Sequence, residues 1–395
     1  DFTFSNCISL TSITIPEGVT SIGFSTFYGC TSLKSVTIPE GVTSIEENAF
    51  YGCNSLKSVT IPESVTDIGD SAFAECNAVE TATVHATAIS FIPKPNLKTV
   101  VITGGTSIGY SAFSNCTSLT SITIPEGVTD IGDMAFFNCT SLKSIKIPES
   151  VTSIGHSSFR SCSSLTNINI PEGVTSIGNS AFSFCNSLNY NEYDNAYYLG
   201  NENNPYLALI KAKDTSVESC SINENTKFIM SSAFEQCSLL TSITIPDGVA
   251  SIGSWIFAKC SSLKSITLPD SVTSIESYAF YYCTSLTSIA LPDSITNIEM
   301  WAFADCSALT SIILPDGVTS IGLGAFRNCA SLTNITLPDS VTIIEDSVFY
   351  GCIKLTDITY NGTLAQWDAV AKHYLWDTNT SDYTIHCTDV DITKN

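Results

Sequence analysis

Apolar residues recur at fixed offsets in a unit of 23 residues that repeats along most of the chain. In residues 30–53, CTSLKSVTIPEGVTSIEENAFYGC, the apolar side chains of Leu33, Val36 and Ile38 are separated by polar residues. Branched side chains in this arrangement are typical of a half-buried strand. Pro39 has no N–H to donate to a strand ladder, so the strand is predicted to end there.

A turn and a second apolar segment follow the strand. The Pro-Glu-Gly sequence at 39–41 predicts a turn. Its third residue does not need a positive φ, because Ser replaces Gly at 64, 150, 271, 294 and 340. This exchange favours a type I-like turn. Val42 and Ile45 are then expected to point inward, and the Ala-Phe pair at 49–50 to begin a short helical or 3-10 turn.

Cysteine and phenylalanine mark the repeat most clearly. Fourteen of the 16 cysteines fall on the 23-residue lattice, at positions 7, 30, 53, 76, 116, 139, 162, 185, 237, 260, 283, 306, 329 and 352. Fourteen of the 20 phenylalanines lie three residues before these cysteines. A fixed period of this length indicates a repeat solenoid, in which each coil buries its apolar face against the next. The sequence predicts a single elongated solenoid of about 15–16 coils with stacked phenyl rings in its core.

The cysteine column predicts buried thiols and not disulfides. Equivalent positions on successive coils lie about 4.8 Å apart, and their side chains point in the same direction. A disulfide requires two Cβ atoms that turn toward each other. The cysteines are therefore expected to act as small apolar side chains with a weak S–H donor, and no metal or cofactor role is predicted for them.

The lattice is interrupted twice. Cys76 and Cys116 are 40 residues apart, which is six fewer than two coils, so residues 77–115 are predicted to form shortened coils anchored by Val79 and Leu97. Cys185 and Cys237 are 52 residues apart, which is six more than two coils. The extra length falls in residues 186–213.

Residues 186–213 are predicted to form an inserted hairpin, because β-like runs at 197–199 and 206–210 flank the polar loop GNENNP. The candidate ligand-binding residues of the chain lie here, and they are Tyr190, Tyr193, Tyr197, Tyr198 and Tyr206. Tyrosine is favoured at binding surfaces, and insertions in repeat proteins often emerge on the binding face. Alternatively, the rings pack against the solenoid and fill the discontinuity.

The C-terminal segment departs from the repeat after Cys352. Thr363 and Gln366 form a capping-box signature for a helix over about 364–374, and YTIHC at 383–387 predicts a final strand. An open last coil would expose the core and a strand edge, so a cap is needed. The predicted domains are a leucine-rich-repeat solenoid at 1–362 and a small C-terminal cap at 363–395.

The repeated LxxIxIPxxVxxIxxxAFxxC unit resembles the BspA-like, or treponemal-type, leucine-rich-repeat family over nearly the whole chain. A GT…W…W…C segment, formed by Gly362, Thr363, Trp367, Trp376 and Cys387, is similar to the C-terminal segment of family members. The resemblance implies a right-handed superhelix with a concave parallel β-sheet. It also implies a secreted or cell-surface bacterial protein associated with adhesion, and it carries over no catalytic residue.

The net charge of −22, with only 16 Lys and Arg residues, argues against nucleic acid and membrane surfaces as partners. An acidic field repels both phosphates and anionic lipids. The chain has no run of about 18 apolar residues, so no membrane insertion is expected. Asp1 falls in the middle of a coil, which favours the removal of an upstream segment such as a signal peptide.

An acidic residue follows the proline of most repeats, and this column consists of Glu17, Glu40, Glu63, Glu126, Glu149, Glu172, Asp247, Asp270, Asp293, Asp316 and Asp339, with Glu224 in the same register. Neighbouring carboxylates repel by roughly 0.9 kcal/mol before screening, which is tolerable in water. Ca²⁺ would relieve this repulsion, but a straight column does not supply converging oxygens. Cation binding is therefore left open, and no metal ligand is predicted.

Catalytic chemistry finds no support in the sequence. His85, His156, His373 and His386 lie in no HExxH or zinc-ligand spacing, and no glycine-rich phosphate loop is present in a strand-to-helix context. Neither catalytic residues nor cofactors are predicted. The outward Ser and Thr residues of the strands either recognise a protein, glycan or ice surface, or simply form good strand surface.

The leading functional hypothesis is a monomeric, non-enzymatic scaffold that binds extracellular protein or glycan ligands. The alternative is a structural spacer that presents another domain of a larger cell-surface protein.

Overall fold

In the computed structural model, residues 1–249 and 251–394 are described, so Ala250 and Asn395 lie outside the description. The chain divides into two compact units, Asp1–Asn189 and Tyr190–Asn395. Each unit consists of stacked coils linked by parallel strands, with very little helix. The predicted repeat-solenoid fold is confirmed.

The predicted strand is present in the coils of both units. In most coils it begins two residues after the apolar residue, usually Leu, that follows the cysteine by three positions, and it usually ends before the proline. In the first unit these strands are Ser12–Thr14, Ser35–Thr37, Ser58–Thr60, Thr81–Val84, Thr99–Ile102, Ser121–Thr123, Ser144–Ile145 and Asn167–Ile168. In the second unit they are Ser242–Thr244, Ser265–Thr267, Ser311–Ile313, Asn334–Leu337, Asp357–Tyr360 and Tyr383–His386. Ser12 pairs with Ser35 in parallel, which is one repeat length apart.

A second ladder of short strands was not predicted. It is built by the segment that contains Ile45, which the sequence placed in the core without assigning a strand. In the first unit its members are Ser21–Ile22, Ser44–Ile45, Asp67–Ile68, Ser107–Ile108, Asp130–Ile131, Ser153–Ile154 and Ser176–Ile177. In the second unit they are Phe228–Ile229, Ser251–Ile252, Ser274–Ile275, Asn297–Ile298, Ser320–Ile321, Ile343–Ile344 and Ala371–Lys372.

The Pro-Glu-Gly segment forms the predicted turn. The N–H of Val42 donates to the carbonyl of Pro39 at 3.0 Å, and Gly41 is not among the residues with positive φ. At four of the five positions where Ser replaces Gly, its hydroxyl donates to the preceding coil, as in Ser150 Oγ to the Val128 carbonyl at 2.7 Å. The buried hydroxyl of Ser64 has no such partner. The type I-like assignment therefore agrees with the backbone of this turn, whereas Gly127, at the same position of another repeat, has a φ of 102°.

The segment before each cysteine was predicted as a short helical or 3-10 turn, and this was wrong. Asn48 and Gly52 adopt left-handed conformations with φ of 57° and 71°. The N–H groups of residues 48, 50 and 52 donate to the next coil at 3.1, 2.7 and 2.9 Å, whereas those of 49, 51 and 53 donate three residues back. A helix would use every N–H internally, so the alternation is what links successive coils here.

The phenylalanine and cysteine columns form the core of each unit. Consecutive phenyl rings are stacked with centroids 5.0–5.8 Å apart. All 16 cysteines are free, and 14 of them are buried. The Sγ of Cys53 donates to the Phe27 carbonyl at 3.3 Å, and the same contact recurs along the column. The thiol is thus both a small apolar side chain and a donor, as expected.

The shortened coils continue the first ladder, whereas the second ladder is interrupted between Asp67–Ile68 and Ser107–Ile108. Val79 and Leu97 are buried as predicted, ahead of the strands Thr81–Val84 and Thr99–Ile102. A 3-10 helix, Ala86–Phe91, follows the first of these strands in place of the second strand and the phenylalanine turn. The first shortened coil therefore lacks the phenylalanine turn of the regular repeat.

The C-terminal helix spans Leu364–Ala369, shorter than the predicted 364–374. The capping box of Thr363 and Gln366 is present. The helix ends because Val370 adopts an extended conformation and Ala371–Lys372 joins the second ladder. The segment after residue 363 adds one strand to each ladder and so continues the coils. The boundary at 363 between solenoid and cap stays a prediction. The antiparallel strand Asp391–Lys394 covers the last parallel strand, Tyr383–His386.

Candidate functional site

The inserted segment of the second unit forms an antiparallel meander that extends the second ladder. Its strands are Asn191–Tyr193, Ala196–Leu199 and Ala208–Ala212. The first pairs with the second and the second with the third, both antiparallel, and the third is parallel to Phe228–Ile229. Strand pairing therefore joins the insert to the stack of coils.

The five predicted tyrosines fall into two groups on this meander. Tyr198 is fully buried, and the Asn223 N–H donates to its hydroxyl at 3.4 Å. Tyr206 packs edge-on against Tyr198, and Tyr193, which is 39% exposed, lies against both rings. Burial raises the pKa of Tyr198 well above its usual value. This group contributes packing, with Tyr193 at its solvent edge.

The other group contains the rings of Tyr190 and Tyr197, whose centroids lie 5.4 Å apart. The ammonium group of Lys211 lies 5.4 and 5.8 Å from the two centroids, within cation–π range. Both rings are half-buried. The ligand-binding role of the five tyrosines stays a prediction.

A more extensive aromatic surface lies on the turns of the second unit. We call it the aromatic ridge, and it consists of Trp255, Tyr278, Trp301, Arg327 and Tyr350. Trp255 stacks on Tyr278 with centroids 4.0 Å apart, and Tyr278 stacks on Trp301 at 6.0 Å. The guanidinium of Arg327 lies 5.3 Å from the Trp301 centroid and 4.2 Å from that of Tyr350. The ridge therefore continues without interruption across successive coils.

The three aromatic side chains at the start of the ridge project from left-handed backbone positions. The φ angles of Trp255, Tyr278 and Trp301 are 61°, 60° and 58°. Bulky residues are uncommon at positive φ, which costs about 1–2 kcal/mol per residue. The next coil has Gly324 at this position, where a Cβ would lie 3.3 Å from Trp301 Cε2. The absence of a side chain there leaves room for the indole.

Two further tyrosines widen the ridge. Tyr281 packs edge-on against Trp255 and Tyr278, with centroid distances of 6.0 and 5.8 Å. Tyr282 lies beside Tyr281 and is 48% exposed. Within the described residues, no hydrogen bond uses the indole N–H of Trp255 or Trp301. The ridge thus offers apolar ring edges together with N–H and hydroxyl groups.

Carboxylates flank the ridge. Glu276 and Glu299 each precede a ridge aromatic by two residues, and Asp305 lies near Tyr281. Burial, and then the charge of Glu276, raises the pKa of Glu299. Burial, and then the charge of Asp305, raises the pKa of Tyr281. The surroundings of the first three rings are therefore acidic.

The acidic turn column and the strand hydroxyls are more uniform than the ridge. Every acid of the column is exposed. Several Thr hydroxyls donate to a carbonyl of the preceding coil, such as Thr333 Oγ1 to Thr310 at 3.1 Å. Among residues 1–249 and 251–394, no group of three or more His, Cys, Asp or Glu side chains is arranged to hold a metal ion.

The repeat unit is similar to that of known proteins. The BspA type Leucine rich repeat region (6 copies) matches residues 1–94, 87–203, 212–329 and 273–386. The chain belongs to the BspA-type leucine-rich repeat family. No curated protein matches this family member.

Solved structures of bacterial leucine-rich repeat proteins are similar to this BspA-type chain. A leucine rich cell surface protein from Faecalibacterium prausnitzii A2-165 is 33% identical, with 92% of this chain and 90% of that chain covered and a TM-score of 0.38. A protein from Bacteroides ovatus ATCC 8483 is 30% identical, with 94% and 91% covered and a TM-score of 0.39. The T. pallidum protein is 31% identical, covering 38% of this chain and 72% of its own, with a TM-score of 0.37.

The aromatic ridge was missed at the sequence level, although a signal for it was present. Seven of the 14 core phenylalanines in the BspA-type repeats of this chain have Ser two residues before them, but three successive repeats have WIF, YAF and WAF. The substitution of a small residue by aromatics at one repeat position was visible. Their stacking was not, because it depends on the left-handed turns.

In the part of the chain that the structure describes, no helix is long and apolar enough to cross a membrane.

Proposed function

We propose that this protein is a non-enzymatic extracellular scaffold that binds a protein or glycan ligand, and that the aromatic ridge is its principal contact surface. The proposal rests on the continuous stack of Trp255, Tyr278, Trp301, Arg327 and Tyr350. Tryptophan, tyrosine and arginine are the residue types that dominate binding hot spots.

The stacking of the ridge favours binding because its side chains are already ordered. A side chain that loses rotamer freedom on association costs about 0.5–1.5 kcal/mol. Rings that are held by their neighbours have already lost much of this rotamer freedom on folding, so less is lost on binding. Secretion or display at a bacterial surface is part of the proposal, supported by the similar F. prausnitzii cell-surface protein.

The test compares the intact chain with the triple variant Trp255→Ser, Tyr278→Ser and Trp301→Ser. Serine is present at the same position in other coils, for example at Ser232 and Ser347, so the variant is expected to fold. Both proteins are tested against extracellular matrix proteins and a glycan array. We expect saturable binding of at least one ligand to weaken about tenfold or more in the variant. Equal binding by both proteins would contradict the role of the ridge.

The tyrosine meander is a second proposed contact, and two variants separate its possible roles. Tyr198→Ala removes a fully buried ring and should cost about 3–5 kcal/mol of unfolding free energy. Tyr193→Ala removes a partly exposed ring and should change stability much less. If the meander binds ligand, Tyr193→Ala weakens binding at an unchanged melting temperature. Unchanged binding to Tyr193→Ala would favour a purely structural role for the insert.

The alternative proposal is a spacer that presents another domain of a larger surface protein. The regular ladders within each unit favour it, because repeated hydrogen bonds give each unit a uniform structure. In that case, the triple ridge variant should bind every ligand as the intact chain does. The two functions therefore make opposite predictions for one experiment.

A further inference from the structure

The aromatic ridge carries an inference about the chemical class of its ligand. The identity of this class rests on the proposed binding function of the ridge. Three properties bear on the question, namely the direction of the rings, the polar groups at their edges and the charges around them.

The direction of the rings argues against neutral sugars. A pyranose stacks on the open face of an aromatic ring. The faces of Tyr278 are both covered, by Trp255 at 4.0 Å and by Trp301 at 6.0 Å, with interplanar angles of 10° and 5°. On its far side, Trp301 is covered by Gly324 and Arg327. Tyr278 and Trp301 therefore present mainly ring edges to a ligand.

The edges carry polar groups that fit a polypeptide. The N–H groups of Trp255 and Trp301 form no hydrogen bond within the described residues, and indole N–H is only a donor. Both groups would suit backbone carbonyl oxygens of an extended peptide. Rigid, amphipathic Trp and Tyr side chains of this kind also dominate antibody contact surfaces.

The charges select a basic partner. Glu276 and Glu299 lie on adjacent coils beside Tyr278 and Trp301, and their mutual repulsion contributes to the raised pKa of Glu299. Asp305 lies near enough to Tyr281 for its charge to raise the pKa of that hydroxyl, after the larger effect of burial. A cation placed between these carboxylates would relieve the repulsion and would contact the π systems as well. The chain charge of −22 would accelerate the approach of such a partner.

The positive charge of Arg327 does not conflict with this selection. Its guanidinium lies between the rings of Trp301 and Tyr350, at the far end of the ridge from Trp255. Glu276 and Glu299 instead lie two residues before Tyr278 and Trp301, and Asp305 acts on Tyr281. The acidic part of the ridge and the arginine are therefore separate along the row.

We propose that the aromatic ridge binds a basic, extended segment of a partner protein, with Arg or Lys side chains of that segment placed against Trp255, Tyr278 and Trp301 and between Glu276, Glu299 and Asp305.

The experiment uses fluorescent peptides of equal length in which glycine alternates with arginine, lysine or glutamate. Their binding to the full chain is measured by fluorescence anisotropy at low and physiological salt. The ridge variant is the serine triple substitution described above. The charge variant is Glu276→Gln with Glu299→Gln, and its control is Asp316→Asn with Asp339→Asn, which removes the same charge from exposed turns of the same unit.

We expect the arginine peptide to bind more tightly than the lysine peptide and the glutamate peptide not to bind. The serine triple variant should lose about tenfold or more in affinity for the arginine peptide. The charge variant should lose several-fold, and the control should stay within about twofold of the intact chain. Near-UV circular dichroism and the melting temperature verify that each variant is folded.

Several results would overturn the inference. Equal binding by the ridge variant, the charge variant and the control would show a general attraction to an acidic protein, and absence of binding by both basic peptides would exclude the ligand class. A neutral glycan that binds the intact chain but not the serine variant would also contradict it, while leaving the proposed binding function intact. Failure of every protein, glycan and peptide to depend on the ridge would remove both proposals.

Discussion

The cysteine thiol meets two needs of the coil in one small side chain. The Phe27 carbonyl accepts the N–H of Cys30 from its own coil and the Sγ–H of Cys53 from the next coil. Alanine would fit the space but would leave that second contact unmade. Serine would supply a donor at the cost of burying a more polar group.

This arrangement predicts strongly unequal thiol reactivity. Burial raises the pKa of Cys30 to about 11 and that of Cys306 to about 12, so few thiolates exist at the pH of a reaction with Ellman's reagent. We expect fast labelling of the exposed Cys7, slower labelling of Cys387, and protection of the others in the folded chain. In denaturant, all 16 should react. Rapid labelling of many thiols in the folded state would contradict the buried column.

The left-handed positions predict an unusual effect of glycine. Gln236 is exposed with φ of 63°, a conformation that glycine adopts without penalty. Gln236→Gly should therefore stabilise the chain by up to about 1 kcal/mol.

Its neighbour provides the control for this prediction. Glu235 has no positive φ, so Glu235→Gly should destabilise the chain through the greater freedom of the unfolded state. Chemical denaturation measures both variants. Destabilisation by both substitutions would argue against backbone strain at position 236.

At the scale of the element, the terminal antiparallel strand Asp391–Lys394 is held by a histidine between two carboxylates. Nδ1 of His386 lies 2.9 Å from Asp391 Oδ1, and Nε2 lies 2.9 Å from Asp357 Oδ1. Both ring nitrogens are donors only in the protonated imidazole. Hydrogen bonds to Asp357 and then Asp391 raise the pKa of His386, and the bond from His386 lowers the pKa of Asp357.

The raised pKa predicts a pH-dependent strand. Its contribution to stability is fully present below the unfolded pKa of about 6.5 and is lost as the pH rises through the higher folded pKa. Hydrogen exchange of the amides in Asp391–Lys394 should therefore accelerate between mildly acidic and mildly alkaline pH, beyond the intrinsic effect of pH. His386→Gln should abolish this excess, whereas His156→Gln, at an exposed position in the first unit, should not. An excess that survives His386→Gln would rule out the histidine as its origin.

The sequence predicted the first strand ladder, the proline turn, the shortened coils and the inward columns. These depend on local pattern and on a period that the cysteines make visible. It did not predict the second ladder, because a pair such as Ser44–Ile45 is too short to show alternation. The turn before each cysteine was predicted to be helical, but only alternate N–H groups bond three residues back. Only the neighbouring coil reveals where the others go.

The sequence likewise predicted one part of the candidate site and missed another. The tyrosine meander could be located because it adds residues to the lattice, and insertions are visible in a repeat. The aromatic ridge adds none, so it appears only as unusual residue types in a known column. The contact between Arg327 and Tyr350 joins different coils and required the structure.

At the scale of the molecule, acidic columns and few basic residues leave a net charge of −22. Like charges on a folded surface repel, and salt at moderate ionic strength largely screens the repulsion between charges more than about 10 Å apart. Turn acids such as Asp270 and Asp293 are exposed, so dissolved ions can reach their carboxylates and screen this repulsion.

We therefore expect the melting temperature to rise with added NaCl. CaCl₂ at matched ionic strength should give the same increase if the acids are simply solvated, because exposed columns do not converge on one ion. Differential scanning calorimetry measures both. A larger increase with Ca²⁺, together with binding heat, would identify a specific calcium site.

The outward left-handed positions give this architecture an unusual freedom to diversify. Residues as different as Ser71, Met134, Trp255 and Lys259 are accommodated there with nearly the same φ. The buried columns set the fold, so a lineage can exchange these outer side chains one coil at a time without redesigning the interior. Each added repeat then supplies another variable site at the spacing of one strand, about 4.8 Å. New binding specificities can therefore arise by substitutions at these outward left-handed positions.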